Sequence, residues 1–288
     1  MKTAVLTVIY PKARPYLNDL LGSLQNQTDR DFTFVVVNDG LAGLEKKLKK
    51  TGSPFKMLAD TGTPAHLRKI GIRWACRMGF DAIIFLDADD RMDSRRVETV
   101  KKMLSKHAVV FNDLVLFGRA FKRPTPLLSR RFKEGGRVRA QDLLTMNCLG
   151  LSNTSVRTDV TGESARLVPD SIRAFDWAFF TRILLKGREA VFTRKTRTYY
   201  RQHAANTAPF APGEKDILAA VRIKADHYKA LKSEGQKYGE LAKTFSKLAA
   251  RLSRDRSFKK TYCSAVRNAR GRYPLWWEMI KDEKELGL

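Results

Sequence analysis

The sequence predicts an α/β fold in which a doubly wound, mostly parallel sheet is followed by a helical C-terminal extension. In the first half of the chain, short apolar runs alternate with segments of helical periodicity, a pattern that is typical of βαβ units. Helical patterns dominate from about residue 212 onward. The 288 residues, 43% of them hydrophobic, are enough to bury a large core. We therefore expect an α/β domain over residues 1–212, with halves at 1–105 and 106–212, and an extension over residues 213–288.

The predicted strands of the first half are apolar runs that end at glycine, proline or acidic residues. They cover residues 4–9, 32–38, 55–59 and 83–86. The predicted helices that follow them cover residues 15–27, 41–50, 64–78 and 93–104. Pro15 and Pro64 suit helix starts, where a backbone N–H has no helical partner, and Gly79 suits the end of the third helix.

The second half is less regular, and its predicted elements are shorter. One or two strands are expected within residues 109–121. A Lys/Arg-rich loop over Arg119–Arg139 follows, and it could cover an active site or bind an anionic acceptor molecule. The remaining elements are a helix at 176–186, strands at 190–193 and 197–201, and helices from 212 to the end with kinks at Gly235, Gly239 and 271–274.

The charge and the cysteines limit the setting and the partners. A formal net charge of +25 indicates an anionic partner, such as nucleic acid, lipid head groups or a phosphorylated substrate. Three cysteines without metal-ligand spacing argue against a disulfide framework or a structural zinc site, and favour a reducing, cytosolic setting. The first nine residues contain two threonines and predict a strand rather than a signal peptide, and no run approaches the roughly 20 apolar residues of a membrane span.

Three acids follow the fourth predicted strand directly. Asp87, Asp89 and Asp90 come after the apolar run at 82–86. Carboxylates this close repel one another unless a divalent cation lies among them, and the carboxyl edge of a parallel sheet is where ligands bind. The alternative is an exposed acidic turn that caps the next helix. Because the chain has neither a GxGxxG nor a P-loop pattern, a metal held by carboxylates is the expected phosphate clamp.

A further acid follows the second strand in the same way. Asp39 could accept hydrogen bonds from a base or a ribose hydroxyl, as the acid of dinucleotide folds does, or it could belong with Gly40 to a plain turn.

The order of these motifs resembles the family-2 glycosyltransferases of the GT-A fold. The matching segments are Tyr16-Leu17 with 23–28, then 34–40, 68–72 and 85–90, and later 175–177, 184–187 and 199–206. Together they cover the first hundred residues well and return near the end of the predicted domain. The resemblance implies a Rossmann-like sheet whose first half, residues 1–105, binds the nucleotide and whose second half binds the acceptor.

The resemblance implies a donor site for a nucleoside-diphosphate sugar. Asp87-Ala88-Asp89 matches the DxD signature, which binds a divalent metal, Mn²⁺ or Mg²⁺, and the ribose. Asp39 matches the acid that contacts the base, usually uracil, and Arg68 matches an arginine near the nucleotide. Ile9 and Tyr10 stand where the family makes further contacts to the base.

The resemblance also implies a catalytic base and a third metal ligand. Asp176 matches the aspartate that acts as general base, and the alternative is a helix N-cap. His203 matches a histidine that contacts the metal or the pyrophosphate in some relatives, which would make Asp87, Asp89 and His203 the metal ligands. The alternative for His203 is a structural hydrogen bond. Trp177 could stack on a sugar ring or pack in the core.

Several positions depart from the family pattern, which indicates a divergent branch. Phe175 stands where the family has a glutamate, Lys69 where it has an asparagine, and Leu41 where it has a serine. Ile9-Tyr10-Pro11-Lys12 replaces the usual Pro-x-Tyr-Asn.

The expected function is metal-dependent, inverting transfer of a sugar from a nucleoside-diphosphate sugar, UDP-linked, to a hydroxyl of a glycan or lipid-linked acceptor. The expected process is cell-surface polysaccharide synthesis. One alternative is a nucleotidyltransferase. That class requires a glycine-rich, basic phosphate loop after the first strand, and here the segment after that strand has basic residues but no glycine. The other is a basic nucleic-acid-binding protein, but no recognised nucleic-acid motif is present, so no specific nucleic acid is expected as a partner.

A basic amphipathic helix near the C terminus suggests a second kind of surface. Its apolar positions follow helical spacing: Leu241, Phe245, Leu248 and Leu252. With basic residues beside this stripe and with Trp276 and Trp277 further on, the segment would suit an anionic membrane surface. We expect a cytoplasmic protein, peripheral at the inner membrane face. The alternative is that these helices pack on the domain and bury both tryptophans.

Overall fold

A ten-stranded, mostly parallel sheet with helices on both faces forms the centre of the structure, a computed structural model that describes residues 1–118, 121, 123–203, 212–269, 271 and 274–288. The strands found in these ranges are β1 (Thr3–Ile9), β2 (Thr33–Asn38), β3 (Phe55–Ala59), β4 (Ala82–Phe85), β5 (Arg91–Met92), β6 (Val109–Gly118), β7 (Thr125–Pro126), β8 (Arg137–Val138), β9 (Thr154–Arg157) and β10 (Ala190–Gln202). The helices are α1 (Leu17–Gln25), α2 (Leu44–Lys49), α3 (Pro64–Arg77), α4 (Arg96–Leu104), α5 (Gly162–Arg166), α6 (Phe175–Leu185), α7 (Glu214–Ala230), α8 (Gln236–Arg254) and α9 (Arg256–Asn268).

The strand directions bring the carboxyl ends of six strands to one edge of the sheet. The main path runs β3-β2-β1-β4-β9-β6-β10-β5, and β1 to β4 are parallel neighbours in it. Strand β9 is antiparallel to both β4 and β6, and β10 is parallel to β6. Strands β6 and β10 therefore point the same way as β1, β2, β3 and β4. This edge is where ligands bind in open α/β sheets, and the predicted fold class is confirmed.

Alternating side chains of the strands fill two hydrophobic cores. In β1, Ala4 and Leu6 face the core that contains α3 and α6, whereas Val5 and Ile9 face the core that contains α1 and α4. The doubly wound arrangement follows, because a strand that is apolar on both faces must be covered on both. The C-terminal helices α7, α8 and α9 join the first core, and the domain boundaries at residues 105 and 212 stay predictions.

The apolar stripe of α8 packs inward. Phe245, Leu248 and Leu252 are buried, whereas Lys243 and Lys247 are exposed. Trp277 is also buried and Trp276 is half-buried. The packing alternative therefore describes these helices, and their apolar face is not open to a membrane. Within the ranges described, no helix has the length and apolarity needed to cross a bilayer.

Several element boundaries differ from the prediction for physical reasons. The predicted helix at 15–27 is a 3₁₀ turn over Pro11–Tyr16 followed by α1, because two prolines remove backbone donors at the start. The two strands expected at 190–193 and 197–201 are one strand, β10, with a register shift between Thr193 and Arg197. Strand β6 runs alongside both parts and joins them.

The last α-helix among the described residues, α9, ends at Asn268, and a 3₁₀ turn follows at Lys284–Leu286. Of the expected kinks, the one at Gly235 is present, because the chain turns there before α8, whereas α8 passes through Gly239 without a break. A further turn lies at Asp255, whose side chain caps α9 by accepting from the Phe258 amide. Residues 274–283 are not helical, so the expectation of helices to the end is wrong. Parts of three predicted features, namely Arg119 in the basic loop, 204–206 in the last motif, and 272–273 among the expected kinks, lie outside the described residues.

Candidate active site

The acidic turn after β4 is held from below by main-chain and hydroxyl contacts. The Asp87 amide donates to Ser152 Oγ at 2.9 Å, and the Asp90 amide donates to the Asp87 carbonyl at 3.2 Å. Ser152 lies in a 3₁₀ turn just before β9, which pairs with β4. Ala88 is buried in the turn. The side chain of Asp87 remains 35% exposed and so can meet a ligand at the edge of the sheet.

Arg68 lies beside Asp87, and the packing of α3 sets its position. Arg68 Nη2 is 3.5 Å from Asp87 Oδ1. Helix α3 approaches β1 closely at Gly71, where an added Cβ would lie 2.7 Å from Leu6 Cδ1. Burial raises the pKa of Asp87, and the Arg68 guanidinium acts against that rise.

Asp89 faces His203, the residue that follows β10. His203 Nε2 lies 2.8 Å from Asp89 Oδ2. The His203 ring stacks on Tyr16, with centroids 5.3 Å apart, so the imidazole is held between the acidic turn and the segment after β1. The structure thus brings together two residues that stand more than a hundred positions apart in the sequence.

The third acid of the cluster supports the turn from inside the protein. Asp90 is fully buried, and its Oδ1 accepts from the Arg201 amide at 2.7 Å. Arg201 Nε donates to the Asp89 carbonyl at 2.8 Å, and its guanidinium pairs with Asp19, a partner that the sequence did not indicate. Asp90 therefore ties the end of β10 to the turn, which accounts for an acid that had no predicted chemistry.

A buried arginine lies beneath the acids. Arg96, at the start of α4, is fully buried and donates from Nη2 to the Phe85 carbonyl at 2.9 Å. Burial lowers the pKa of Arg96 to about 9, and the charges of Asp90 and Asp87 act in the opposite direction. Burial likewise raises the pKa of Asp90 well above its ordinary value. The three acids of the turn thus have the Arg96 guanidinium on their buried side and the Arg68 guanidinium on their exposed side.

Tyr10, Ile9 and Asp39 lie at the neighbouring strand ends. Burial, and then the charges of Asp89 and Asp87, raise the pKa of Tyr10 above its ordinary value, so its hydroxyl lies in the field of the acidic turn. The Ile9 side chain is buried in the core, and its carbonyl accepts from the Asp39 amide at 2.8 Å. Ile9 therefore has no side chain to offer a ligand, whereas half-buried Asp39 does.

Asp176 lies in the first turn of α6 and is not its N-cap. The N-cap is Ala174, which has no capping side chain, so the capping alternative is wrong. Asn147 Nδ2 donates to Asp176 Oδ2 at 3.0 Å. Burial raises the pKa of Asp176 to about 6; the charge of Arg68 lowers it and that of Asp87 raises it. Asp176 and the acidic turn therefore share one electrostatic environment, with Arg68 affecting both.

The predicted metal ligands come together only in part. Among the described residues, no group of three or more His, Cys, Asp or Glu side chains is arranged to hold a metal ion. Asp89 and His203 are in contact, but Asp87 is paired with Arg68. A carboxylate and an imidazole still fit a divalent ion, because Mg²⁺ usually takes one or two protein ligands and completes its shell with water and substrate phosphates.

Several residues around the site were not found by sequence reasoning. Ser152 and Asn147 hold the acidic turn and Asp176, and Asp19 pairs with Arg201. No local pattern marks them, because each acts through a partner from a distant segment. Trp177 packs in the core, between the rings of His227 and Trp277, so it cannot stack on a sugar.

No protein-family model matches the sequence, and a search of curated proteins finds no match either. Solved structures match in fold. TarS residues 1–349 from S. aureus in complex with UDP align at a TM-score of 0.61 and 17% identity, over 89% of this chain and 73% of that one. The mannosyltransferase PcManGT from Pyrobaculum calidifontis, in complex with GDP-Man and Mn²⁺, aligns at 0.55 and 14%, over 93% and 79%.

A third similar structure is GalNAc-T7 with UDP, GalNAc and Mn²⁺. It aligns at a TM-score of 0.54 and 15% identity, over 96% of this chain and 58% of that one. At such identities the similarity establishes the fold, which is that of GT-A-type glycosyltransferases.

Proposed function

We propose that this chain is a metal-dependent glycosyltransferase that moves a sugar from a nucleoside-diphosphate sugar to an acceptor hydroxyl. The observation that carries the proposal is the meeting of an acidic turn, Arg68 and a carboxylate of raised pKa at the ligand-binding edge of the sheet. TarS, which shares the fold, was solved with UDP and with UDP-GlcNAc, and PcManGT with GDP-Man and Mn²⁺. A donor of this class, UDP-linked, fits the proposal.

The donor side would be formed by the ends of β1, β2 and β4. In the proposal, the Asp39 carboxylate and the Tyr10 hydroxyl bind the base and ribose, together with the backbone of Ile9 and Ala88. Asp87 binds the ribose, and Arg68 both orients Asp87 and attracts the diphosphate. The guanidinium at 3.5 Å from the Asp87 carboxylate supports this division, because a cation at that place favours an anionic ligand.

Asp89 and His203 would hold the metal, Mn²⁺ or Mg²⁺, with Asp87 near it. When bound, such an ion neutralises charge on the diphosphate leaving group. The 2.8 Å contact between Asp89 and His203 supports this assignment, because it holds both side chains at one point of the edge. The imidazole must be neutral to act as a ligand.

Asp176 would act as the general base. A carboxylate with a pKa of about 6 is ionised at neutral pH and yet more basic than an exposed aspartate, so it can accept the proton of an acceptor hydroxyl. Attack of that hydroxyl on the anomeric carbon, opposite to the leaving diphosphate, would be a single displacement that inverts the anomeric centre. The chain would then belong to a divergent branch of family 2.

The acceptor in the proposal is a glycan or a lipid-linked sugar used for cell-surface polysaccharide, met at the cytoplasmic face of a membrane. The net charge of +25 and the exposed lysines of α8 support an anionic surface as partner. Because the apolar stripe of α8 is buried, the attraction would be electrostatic. We expect co-sedimentation with phosphatidylglycerol vesicles at low salt that is lost at high salt; no co-sedimentation at low salt would remove the membrane from the proposal.

A thermal-shift screen tests the donor site directly. UDP-, GDP-, TDP- and CMP-sugars are added with and without Mn²⁺, and a ligand that binds only the folded state must raise Tm. We expect stabilisation by at least one donor that depends on Mn²⁺ and is lost in Asp89→Asn. The matched control is Asp159→Asn, since Asp159 is a half-exposed acid paired with Arg157, far from the site. Stabilisation by none of the donors would falsify the donor-site proposal.

A further inference from the structure

The segment at residues 274–280, hereafter the strap, lies against the loop that holds Asp176. Trp276 forms an antiparallel bridge with Asn147, and the Asn147 amide donates to the Trp276 carbonyl at 3.1 Å. Such a bridge places two Cα atoms about 5 Å apart. The backbone of Asn147 is therefore held by a segment that lies far away in the sequence.

The Asn147 side chain transmits this position to the carboxylate. Asn147 is buried, its Oδ1 accepts from the Leu149 amide at 3.0 Å, and its Nδ2 donates to Asp176 Oδ2 at 3.0 Å. With both ends of the amide engaged, the side chain cannot turn without breaking a buried hydrogen bond. The direction of the Asp176 carboxylate thus depends on where Asn147 is held.

The strap itself is clamped by an ion pair. Both guanidinium nitrogens Nη1 and Nη2 of Arg131 donate to the two carboxylate oxygens of Glu278, at 2.7 and 2.8 Å. Glu278 Oε2 also accepts from the Leu275 amide at 2.8 Å, which closes the turn that carries Trp276. The pair is about one-third exposed on both sides, so it can be altered without opening the core.

Two further contacts fix the strap on the interior side. Lys224, a buried residue of α7, donates from Nζ to the Ile280 carbonyl. The Trp277 ring stacks on Trp177, the neighbour of Asp176, with centroids 5.0 Å apart and planes 4° from parallel. The strap therefore contacts both the residue that bonds Asp176 and the residue that follows it.

We propose that the strap is part of the catalytic machinery, in which Asn147 is a positioning residue for the Asp176 carboxylate and the Arg131–Glu278 pair clamps the strap in place. The inference rests on the proposed function of Asp176 as the base. Its physical reason is that a general base must reach the acceptor hydroxyl within hydrogen-bond distance, so that an error near 1 Å lowers the rate about a hundredfold.

Charge reversal tests the clamp. The variants are Arg131→Glu, Glu278→Arg and the double reversal, and the readout is release of UDP from UDP-GlcNAc and of GDP from GDP-mannose, with water as acceptor. We expect each single reversal to lower kcat about ten- to a hundredfold with KM for the donor unchanged, and the double reversal to restore most of it. The matched control reverses Arg157 and Asp159, an ion pair of similar exposure at the end of β9 and away from the strap, and should leave kcat unchanged.

Substitution of Asn147 tests the positioning step. In Asn147→Ala the ionised Asp176 loses a hydrogen-bond donor, so its pKa must rise; Arg68 and Asp87, the other charged groups that act on it, are unaltered. The pKa is measured by NMR titration of the Asp176 carboxyl carbon, which needs no turnover. Asn147→Gln, which keeps the amide, should restore part of the shift.

The outcomes separate the two ideas. The proposed role of the strap would be overturned by an unchanged Asp176 pKa in Asn147→Ala, or by single charge reversals that keep the wild-type kcat. If the wild type binds and cleaves neither donor while the Asp176 pKa still shifts in Asn147→Ala and in Glu278→Arg, the coupling stands and the proposed function fails. Thermal melts of all variants identify any that fail to fold, and for these the milder Glu278→Gln, expected to lower kcat in the same direction, replaces the reversal.

Discussion

The two sides of the candidate site, a proposed donor side at the acidic turn and a proposed base side at Asp176, are built in opposite ways. On the donor side, Asp39, Asp87 and Asp89 follow directly on strands of one parallel sheet, so backbone hydrogen bonds of that sheet set their spacing. On the base side, Asp176 accepts a hydrogen bond from Asn147, and Asn147 forms a β-bridge with Trp276. The comparison teaches that one half of the site is fixed by topology, whereas the other is fixed by a chain of side-chain and loop contacts.

The two sides also differ in how charge is balanced. The acidic turn has Arg68 outside it and the buried Arg96 beneath it, with His203 beside Asp89. Asp176 accepts from one side-chain amide and from backbone N–H groups at the start of α6, and the charge of Arg68 acts on it through space. We therefore expect single changes at the acidic turn to act mainly on donor and metal binding, whereas changes at Asp176 act mainly on the rate of transfer.

The largest effect is expected from Asp176→Asn. The variant keeps the shape of the side chain and removes the base, so kcat for transfer should fall about 10²- to 10⁴-fold while donor binding persists. Steady-state kinetics and the donor thermal shift measure the two properties separately. Asp170→Asn, an exposed acid paired with Lys69, serves as the control. Transfer at the wild-type rate would exclude Asp176 as the base.

The next effect concerns pH and links the two sides through Arg68. Because Asp176 must be ionised to accept a proton, kcat should rise with pH through a midpoint near 6. Arg68 stabilises the ionised form, so Arg68→Met should move that midpoint to higher pH, by about one unit or more. The pH dependence of kcat at saturating donor measures this. A midpoint that stays in place would show that Arg68 does not influence the base.

A smaller effect is expected from packing beneath Arg68. In Gly71→Ala the new Cβ would collide with Leu6, so helix α3 must shift or the side chain must move, at a cost of about 1–3 kcal/mol. Gly22→Ala in α1 is the matched control, since a Cβ there meets nothing within 4 Å and alanine favours the helix. Denaturant unfolding compares the two free energies; equal stability would mean that the contact at Gly71 adapts freely.

The smallest effect is expected from a single hydroxyl below the acidic turn. Ser152→Ala leaves the Asp87 amide without its acceptor and should weaken Mn²⁺-dependent donor binding severalfold, corresponding to about 1 kcal/mol. Ser155→Ala is the control, because Ser155 Oγ is buried and has no hydrogen-bond partner among the described residues. Titration calorimetry with donor and Mn²⁺ compares the variants; equal affinities would exclude a role for Ser152 in shaping the turn.

The position of the acids at the carboxyl end of β4 could be predicted from the sequence because its signals are local, whereas their role in donor binding stays a prediction. A buried run such as residues 82–86, ended by acids, predicts both the strand and the position of Asp87 and Asp89 at its carboxyl end. The sequence could not show that Asp87 faces Arg68 rather than a shared metal group, because that depends on how closely α3 packs at Gly71. A short stretch of sequence is enough to predict a strand and the residues at its end. Which side chains pair with one another depends on how closely separate segments pack.

On the proposed base side, the sequence indicated Asp176 as a candidate residue but did not indicate the residues that contact it. Asp176 was expected as a base or an N-cap, yet its contact with Asn147 requires a bridge to Trp276 that no periodicity records. Strand β9 likewise enters the sheet antiparallel between β4 and β6, and nothing in its four residues specifies those neighbours. Such strand pairings depend on tertiary packing between segments that are distant in the sequence.

Trp277 has a consequence for how the strap comes loose. Among the described residues it is the one non-glycine with a positive φ, 61°, a conformation that costs a bulky residue roughly 1–2 kcal/mol. That strain is tolerated only while the indole stays stacked on Trp177, because stacking and burial outweigh it. Once the Trp277 indole leaves Trp177, the Trp277 backbone can move to a negative φ. The indole then no longer points toward its site, so partial re-docking is not favoured. We expect the strap to detach in a single cooperative event, so that Asp176 is either fully supported or released.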